Sequence, residues 1–161
     1  MKTWIISDTH FNHDKLLEED YGGRPVNWAE KFQKNIKVIQ KEDLLIHCGD
    51  VCIGKDEEMH AKFIAPIPAK KILVRGNHDK KSTTWYLNHG WDMVVDAFID
   101  DRLGKRVLYT HIPNQDLYGC DLNIHGHIHN RPIPPFSPQH KLVAMELTDY
   151  HPVRLETLLN S

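Results

Sequence analysis

The sequence predicts an α/β fold in which two packed β-sheets are flanked by helices. Three observations lead to it. Short, continuous apolar runs at residues 4–6, 44–46 and 72–74 read as strands buried on both faces, as in sheets covered by helices. Segments of helical periodicity alternate with these runs in the first half of the chain, the pattern of βαβ units. The second half is richer in strands than the first, which argues for two sheets rather than one. With 161 residues, 40% of them apolar and 26% charged, residues 1–161 read as one globular domain large enough to bury a core.

Residues 4–6 supply the first strand. Residues 11–27 are polar and irregular, with Gly22-Gly23 and Arg24-Pro25 as turn signals. Asn27 is placed to cap a helix, and Glu30 follows in capping-box register. Trp28, Phe32, Ile36 and Ile39 recur at roughly helical spacing, which predicts one buried face. Lys41-Glu42-Asp43 ends that helix, and residues 44–46 form the second strand. Residues 59–64 read as a short helix or turn, closed by Pro66 and Pro68. After the third strand, Ser82 or Thr83 caps a helix through Asn88, and Gly90 ends it. Residues 93–99 and 106–109 read as strands of an antiparallel hairpin turning through residues 100–104. Residues 122–124 are a short strand. Pro132, Pro134, Pro135 and Pro138 predict a stiff surface loop. Residues 142–147 read as a last strand and residues 155–159 as a short terminal helix.

Five of the apolar runs stop in side chains that can bind a metal. They lead into Asp8 and His10, into Asp50, into Asn77-His78-Asp79, into His111, and into His127 and His129. In extended chain, residues two apart point to the same side, so Asp8 and His10 can share an ion if that conformation persists past the strand. The twelve histidines are many for this length, and histidine is the commonest metal ligand. Oxygen and nitrogen donors together suit manganese, iron, zinc or nickel better than calcium, which prefers oxygen alone. No cysteine is needed, which disfavours a structural zinc finger. Asp50, near the middle of the set, is the natural bridge between two ions. Two ions about 3.5–4 Å apart can generate hydroxide near neutral pH and clamp both oxygens of an in-line displacement at phosphorus. His78 can then protonate the leaving oxygen or hold a phosphate oxygen, with Asp79 orienting it. Asn77 can ligate through its carbonyl oxygen while its amide touches the phosphate.

Asp8-x-His10, Gly49-Asp50, Gly76-Asn77-His78-Asp79, Thr110-His111 and Gly126-His127-x-His129 stand in this order along the chain. The ordered set resembles the five motifs of the calcineurin-like metallophosphoesterases, and the resemblance runs from residue 8 to residue 129. It implies one ion on Asp8, His10, Asp50 and His129 and a second on Asp50, Asn77, His111 and His127. It implies His78 as the catalytic histidine, and a four-layer, two-sheet sandwich with its site at the strand ends. The length leaves no room for an added cap domain, and caps and loops often set the substrate. Asn12-His13 followed by Arg24-Pro25 is similar to small bacterial and phage members.

The expected activity is therefore hydrolysis of a phosphate ester, a phosphodiester before a phosphomonoester, by a metal-bridging hydroxide, with two divalent ions of which manganese is favoured. The substrate is a phosphorylated small molecule or a nucleotide or nucleic-acid phosphoester. Two other readings use the same fold: a protein-interaction scaffold that does no chemistry, and a nucleotide pyrophosphatase. Retention of all seven ligands weighs against the scaffold. Asn12, His13 and Arg24 are candidate substrate contacts, Arg24 as a bidentate phosphate clamp or as an ordinary surface arginine. His125 points away from His127 by alternation, towards core or solvent. Lys70-Lys71 and Lys80-Lys81 read as solvated charge. The formal charge of -2 gives no overall electrostatic case for nucleic acid. Cys48, Cys52 and Cys120, an odd number, point to free thiols in a reducing compartment. One lysine and a three-residue apolar run precede Asp8, too little for a signal peptide or a membrane span, so a cytoplasmic location without membrane attachment is expected.

Overall fold

Residues 1–131 and 137–161 are described by a computed structural model. The expected loop prolines Pro132, Pro134 and Pro135 lie outside these residues. The first sheet has the order β4-β3-β2-β1-β9. In it β1 (Thr3–Ile6), β2 (Leu44–His47), β3 (Lys70–Val74) and β4 (Met93–Val95) run parallel, and β9 (Val153–Arg154) pairs antiparallel with β1. The second sheet has the order β5-β6-β7-β8. There β5 (Phe98–Arg102) and β6 (Lys105–Tyr109) form a hairpin, while β7 (Leu122–His125) and β8 (His140–Leu142) continue parallel to β6. A bridge from Ser7 to Ala144 links the end of β1 to the segment after β8.

Alternation along each central strand explains why these runs are apolar throughout. Trp4, Ile6, Leu45 and Leu73 join one core with Trp28 and Phe32 of helix α1 (Trp28–Asn35), Met59 of α2 (Asp56–Met59), and Tyr86 of α3 (Thr83–Asn88). Their neighbours Ile5, Ile46 and Val74 face the other way, into a core shared with Val107, Tyr109 and Ile124 of the second sheet. Leu155 of α4 (Leu155–Leu159) closes that second core. Strands buried on both faces follow from having helices on one side and a sheet on the other. Phe11, just past β1, stacks on Phe63 with centroids 4.0 Å apart and fastens the helical layer over the strand ends. No described helix is long and apolar enough to cross a membrane.

Several boundaries differ from the sequence reading. Residues 93–99 are not one strand: β4 closes the first sheet and β5 opens the second, so the chain changes sheets at Asp96 and Ala97. The hairpin turn is Leu103-Gly104 alone, both with positive φ, because residues 100–102 remain paired in β5. Residues 142–147 divide into the end of β8 and a 3-10 turn, Met145–Leu147. The helix expected at 59–64 starts earlier, at Asp56, and continues as a π-turn, His60–Ile64. Asn27 does precede α1, but its side chain makes no capping bond, whereas Ser82 Oγ accepts the Trp85 amide at 3.1 Å. Lys71 is buried rather than solvated and donates to the Ile67 and Ala69 carbonyls. Cys48, Cys52 and Cys120 are free and buried.

Asp43 ties the first strand to the second. Its carboxylate accepts the Lys2 amide at 2.8 Å, the Trp4 indole N–H at 3.0 Å and the Gln40 amide at 3.1 Å. The Lys2 and Trp4 bonds pull its pKa from an ordinary 3.8 to about 2. A depressed carboxylate contributes stability that is present above its unfolded pKa and lost as pH falls through the folded one. Asp43→Asn is therefore expected to lower the denaturation midpoint at neutral pH and to flatten the loss of stability between pH about 4 and about 2. Identical acid limbs for the two proteins, followed by urea titration, would contradict this.

Candidate metal centre

Because β1, β2 and β3 are parallel neighbours, and β6 and β7 are too, their C-terminal ends gather at one edge. The loops there are laced together. Asp8 N donates to Gly49 O, His10 N to Asp50 O, and Gly126 N to His111 O, at 2.9–3.0 Å. The expectation that Asp8 and His10 share a side by remaining extended is not met. Asp8, His10, Asp50, His127 and His129 all lie in the left-handed region, with φ between 45° and 74°. Residues other than glycine occupy that region at a cost of about 1–3 kcal/mol each, and such strain concentrates at functional sites. The tight turns still converge the pair, with His10 Nε2 3.8 Å from Asp8 Oδ1. Gly126 permits the closest approach: a Cβ there would overlap Ser7 Oγ and Asp8 Oδ2.

Two groups result. Asp8, His10 and His129 bring one ligand atom each within 4.8 Å of one another, as do Asp50, His111 and His127. Asn77 joins the second group, its Oδ1 3.0 Å from His111 Nε2. Asp50 Oδ2 stands between the groups, 3.4 Å from His10 Nε2 and 3.3 Å from His111 Nε2.

Hydrogen bonds on the far side of the rings fix which nitrogen faces inward. His111 Nδ1 donates to the Cys48 carbonyl at 2.8 Å, so Nε2 is the nitrogen turned to the second group. His129 Nδ1 bonds Glu146 Oε1 at 3.0 Å, leaving Nε2 towards Asp8. His111 Nε2 also meets His127 Nδ1 at 3.1 Å. Oxygens of Asn77 and Asp50 and ring nitrogens of His111 and His127 thus converge, a donor set suited to a divalent cation.

The first group makes the same demand. Both ring nitrogens of His10 are buried without a hydrogen bond among the described residues. Burial pushes His10 down to about 2, a neutral imidazole, and pushes the Asp8 carboxyl up to about 6 despite nearby His129 and His111. Burial opposes ionisation of Asp50 too, yet His111 and the His78 amide hold it below the usual carboxylate range. The residues fit a pair of divalent cations in donor type, burial and orientation.

The remaining predicted residues fall into different places. His78 and His13 line a cavity of about 170 Å³ over the two groups, together with Tyr21 and Arg131. The His78 side chain is 47% exposed, with Nε2 4.0 Å from Asp50 Oδ2. Asp79 does not orient His78. Its carboxylate accepts the amides of Asp50, Val51 and Gly76 at 2.8–3.0 Å, clamping the second and third strand-end loops together. Arg24 is neither a phosphate clamp nor a surface residue. It is 2% exposed, donates to the Thr9 and Asp8 carbonyls at 2.6 Å, and pairs with Glu146. Asn12 turns away to the Ile53 carbonyl. His125 is buried, as its alternation indicates.

Two supporting residues lie outside the expected site set. Glu146 accepts both His129 and Arg24, which hold its carboxyl down at about 2 although burial opposes them. His47 accepts the Gly49 amide on Nδ1, so its Nε2 donates to Thr9 Oγ1, whose hydroxyl donates to Val51 O.

Two sheets with paired candidate metal-binding groups at the strand ends are the arrangement expected of a metallophosphoesterase, and comparison with known proteins agrees. The chain matches the calcineurin-like phosphoesterase family over residues 1–117, and it belongs to that family. An uncharacterised protein of Methanocaldococcus jannaschii is 26% identical over 172 residues, covering 98% of this chain and 89% of its own. The crystal structure of a protein of unknown function from Aquifex aeolicus superposes with a TM-score of 0.82 at 26% identity, covering 99% of this chain and 98% of that one. An archaeal phosphodiesterase shares the fold with a TM-score of 0.54 at 23% identity, over 89% of this chain and 82% of its own.

Proposed function

We propose that the protein is a dinuclear metal-dependent hydrolase that prefers phosphodiesters to phosphomonoesters. The observation that carries this reading is the position of Asp50 Oδ2, 3.4 Å from one group and 3.3 Å from the other. One carboxylate oxygen can serve both ions. Asp8, His10, His129 and Asp50 would hold the first, and Asp50, Asn77, His111 and His127 the second, with manganese favoured among the divalent transition metals. When bound, such ions polarise phosphoryl oxygens and acidify water near neutral pH.

The chain's own residues do the rest. His78, half exposed above Asp50, holds a phosphate oxygen or returns a proton to the leaving alkoxide. Its amide is fixed by Asp50 Oδ1 at 2.9 Å, so the imidazole is carried at a set height over the site. Preference for diesters is supported by space on both sides of Asn77. The His10–His78 cavity opens on one side, and a groove lined by Arg75, Thr110 and Ile112 on the other. An ester group can leave in either direction.

The test is hydrolysis of matched chromogenic mono- and diesters by protein stripped of metal and reloaded with manganese, nickel, zinc or magnesium. A diester kcat/KM at least about tenfold above the monoester value is expected, the scale of one good contact. The reverse ratio would make it a phosphomonoesterase. Folded, metal-loaded protein that turns over neither ester would move the reading to an interaction scaffold.

Glu146 supplies a second prediction. A carboxylate behind a ligating histidine fixes its tautomer and raises its basicity, and its loss costs about 10–100-fold in metal affinity. Glu146→Gln is expected to weaken one of the two ions, the one held by Asp8, His10 and His129, by that factor in a chelator competition, with unchanged far-ultraviolet dichroism. Unaltered affinity for both ions would remove Glu146 from the site's support.

A further inference from the structure

The loop between β1 and α1 forms a wall of the cavity that metal binding does not explain. It reads as irregular in sequence, yet it is firmly built. The amides of Tyr21, Gly22 and Gly23 all donate to the Glu18 carbonyl at 2.9–3.0 Å, and Arg24 N donates to Leu16 O at 2.8 Å. Gly22 packs so closely on Leu16 that a Cβ would lie 2.8 Å from the Leu16 carbonyl oxygen. Arg24 roots the loop in the backbone of Asp8 and Thr9 and stacks over Trp28 at 4.7 Å. The wall and the first metal-binding group therefore share one rigid base.

That wall presents Tyr21, an aromatic side chain 48% exposed, its ring nearly perpendicular to that of His13 with centroids 5.8 Å apart. The same cavity is lined by Arg131, exposed and without an ion pair among the described residues. An exposed aromatic ring and an unspent guanidinium, both lining the cavity over the metal-binding groups, match two features that one molecule offers together. A nucleotide within a phosphodiester chain carries a flat base with a π face and a second phosphate a few bonds from the first.

We propose that Tyr21, His13 and Arg131 form a nucleotide subsite, so that the substrate class is a nucleotidyl phosphodiester with its base on Tyr21 and a neighbouring phosphate on Arg131. This rests on the phosphoesterase reading of the metal centre. The overall charge of -2 makes the isolated contact set, rather than a long cationic track, the source of affinity. A dinucleotide with a 3′-terminal phosphate or the end of a strand carries the same recognised unit.

The experiment compares esters that share one leaving group: methyl p-nitrophenyl phosphate, thymidine 5′-p-nitrophenyl phosphate, and the same nucleotide bearing a 3′-phosphate. Tyr21→Ala is expected to lower kcat/KM for both nucleotide esters about tenfold or more, within the range base stacking supplies, and to leave the methyl ester within about twofold. Tyr21→Phe should retain the wild-type values. Arg131→Ala should lower kcat/KM for the 3′-phosphorylated ester alone. Dithymidine monophosphate carrying a 3′-terminal phosphate and a ten-residue thymidine strand, assayed side by side, then tell a small dinucleotide from a strand end. Equal losses on all three chromogenic esters would overturn the subsite and leave the phosphoesterase standing. Calorimetric binding of thymidine 3′,5′-bisphosphate to the metal-free protein is the independent readout. Affinity lost about tenfold in Tyr21→Ala supports the subsite even if no ester is turned over, an outcome that would refute the phosphoesterase reading instead. Affinity unchanged in both Tyr21→Ala and Arg131→Ala overturns it.

Discussion

Asp50→Asn is expected to lower kcat/KM for a phosphodiester by at least about 10³-fold, the upper range for losing one preorganised electrostatic contact, and to leave fewer than two ions bound per chain. The substitution is nearly isosteric, so geometry is not its main effect. Asn can still accept the His78 amide through the oxygen that replaces Oδ1, which Asp50 does at 2.9 Å. What it loses is the charge on the atom between the two groups. Asp50 Oδ2 lies within 3.4 Å of both His10 Nε2 and His111 Nε2, and a neutral amide nitrogen there would present hydrogens to the site instead of a lone pair. Both groups are affected by one atom, so the loss exceeds that from any ligand serving one group. Metal analysis after dialysis and steady-state kinetics check the two halves of the prediction. Two ions retained with turnover within tenfold of wild type would rule out a bridging role.

The strand-end placement of these ligands could be read from sequence because each apolar run is short and stops at a polar residue that has nowhere else to go. The reasons given for individual pairs were less secure. Asp8 and His10 meet through left-handed turns at φ 57° and 45°, not through an extended strand. Alternation led to the right pair by the wrong geometry. Residues 93–99 conceal a change of sheet because no glycine or proline marks the break at Asp96 and Ala97.

Residues whose partners are far along the chain were the hardest to read. Arg24 meets Glu146 across 122 positions, and no local pattern in the loop announces the return. A usable clue did exist: Glu146 is a lone acid within Leu142-Val143-Ala144-Met145-Glu146-Leu147, and an acid inside an apolar run needs a buried partner. The role of Asp79 is hidden in the sequence for another reason. Its partners are three backbone amides, which side-chain patterns do not display. The motif residue is a clamp between loops, and the site depends on it through Asp50.

His78→Ala is expected to lower kcat by about 10²–10⁴-fold, the contribution of a positioned proton donor, while both ions remain bound. The separation follows from where the two parts of the residue lie. The His78 amide bonds Asp50 Oδ1, and alanine keeps that bond, so Asp50 stays aimed. The imidazole belongs to neither metal-binding group and reaches into the cavity with its side chain 47% exposed. Removing an exposed side chain of this kind changes stability by no more than about 0.5 kcal/mol, so lost activity would not reflect unfolding. The dependence on leaving group then identifies the role. A p-nitrophenolate departs without a proton, whereas an alkoxide such as a nucleoside 5′-oxygen needs one. If His78 supplies that proton, the variant loses far more on the alkyl ester than on the nitrophenyl ester, and the loss grows with the pKa of the leaving alcohol. If it instead holds a phosphate oxygen, the loss is the same for both. Turnover within about threefold of wild type on every ester would take His78 out of the reaction.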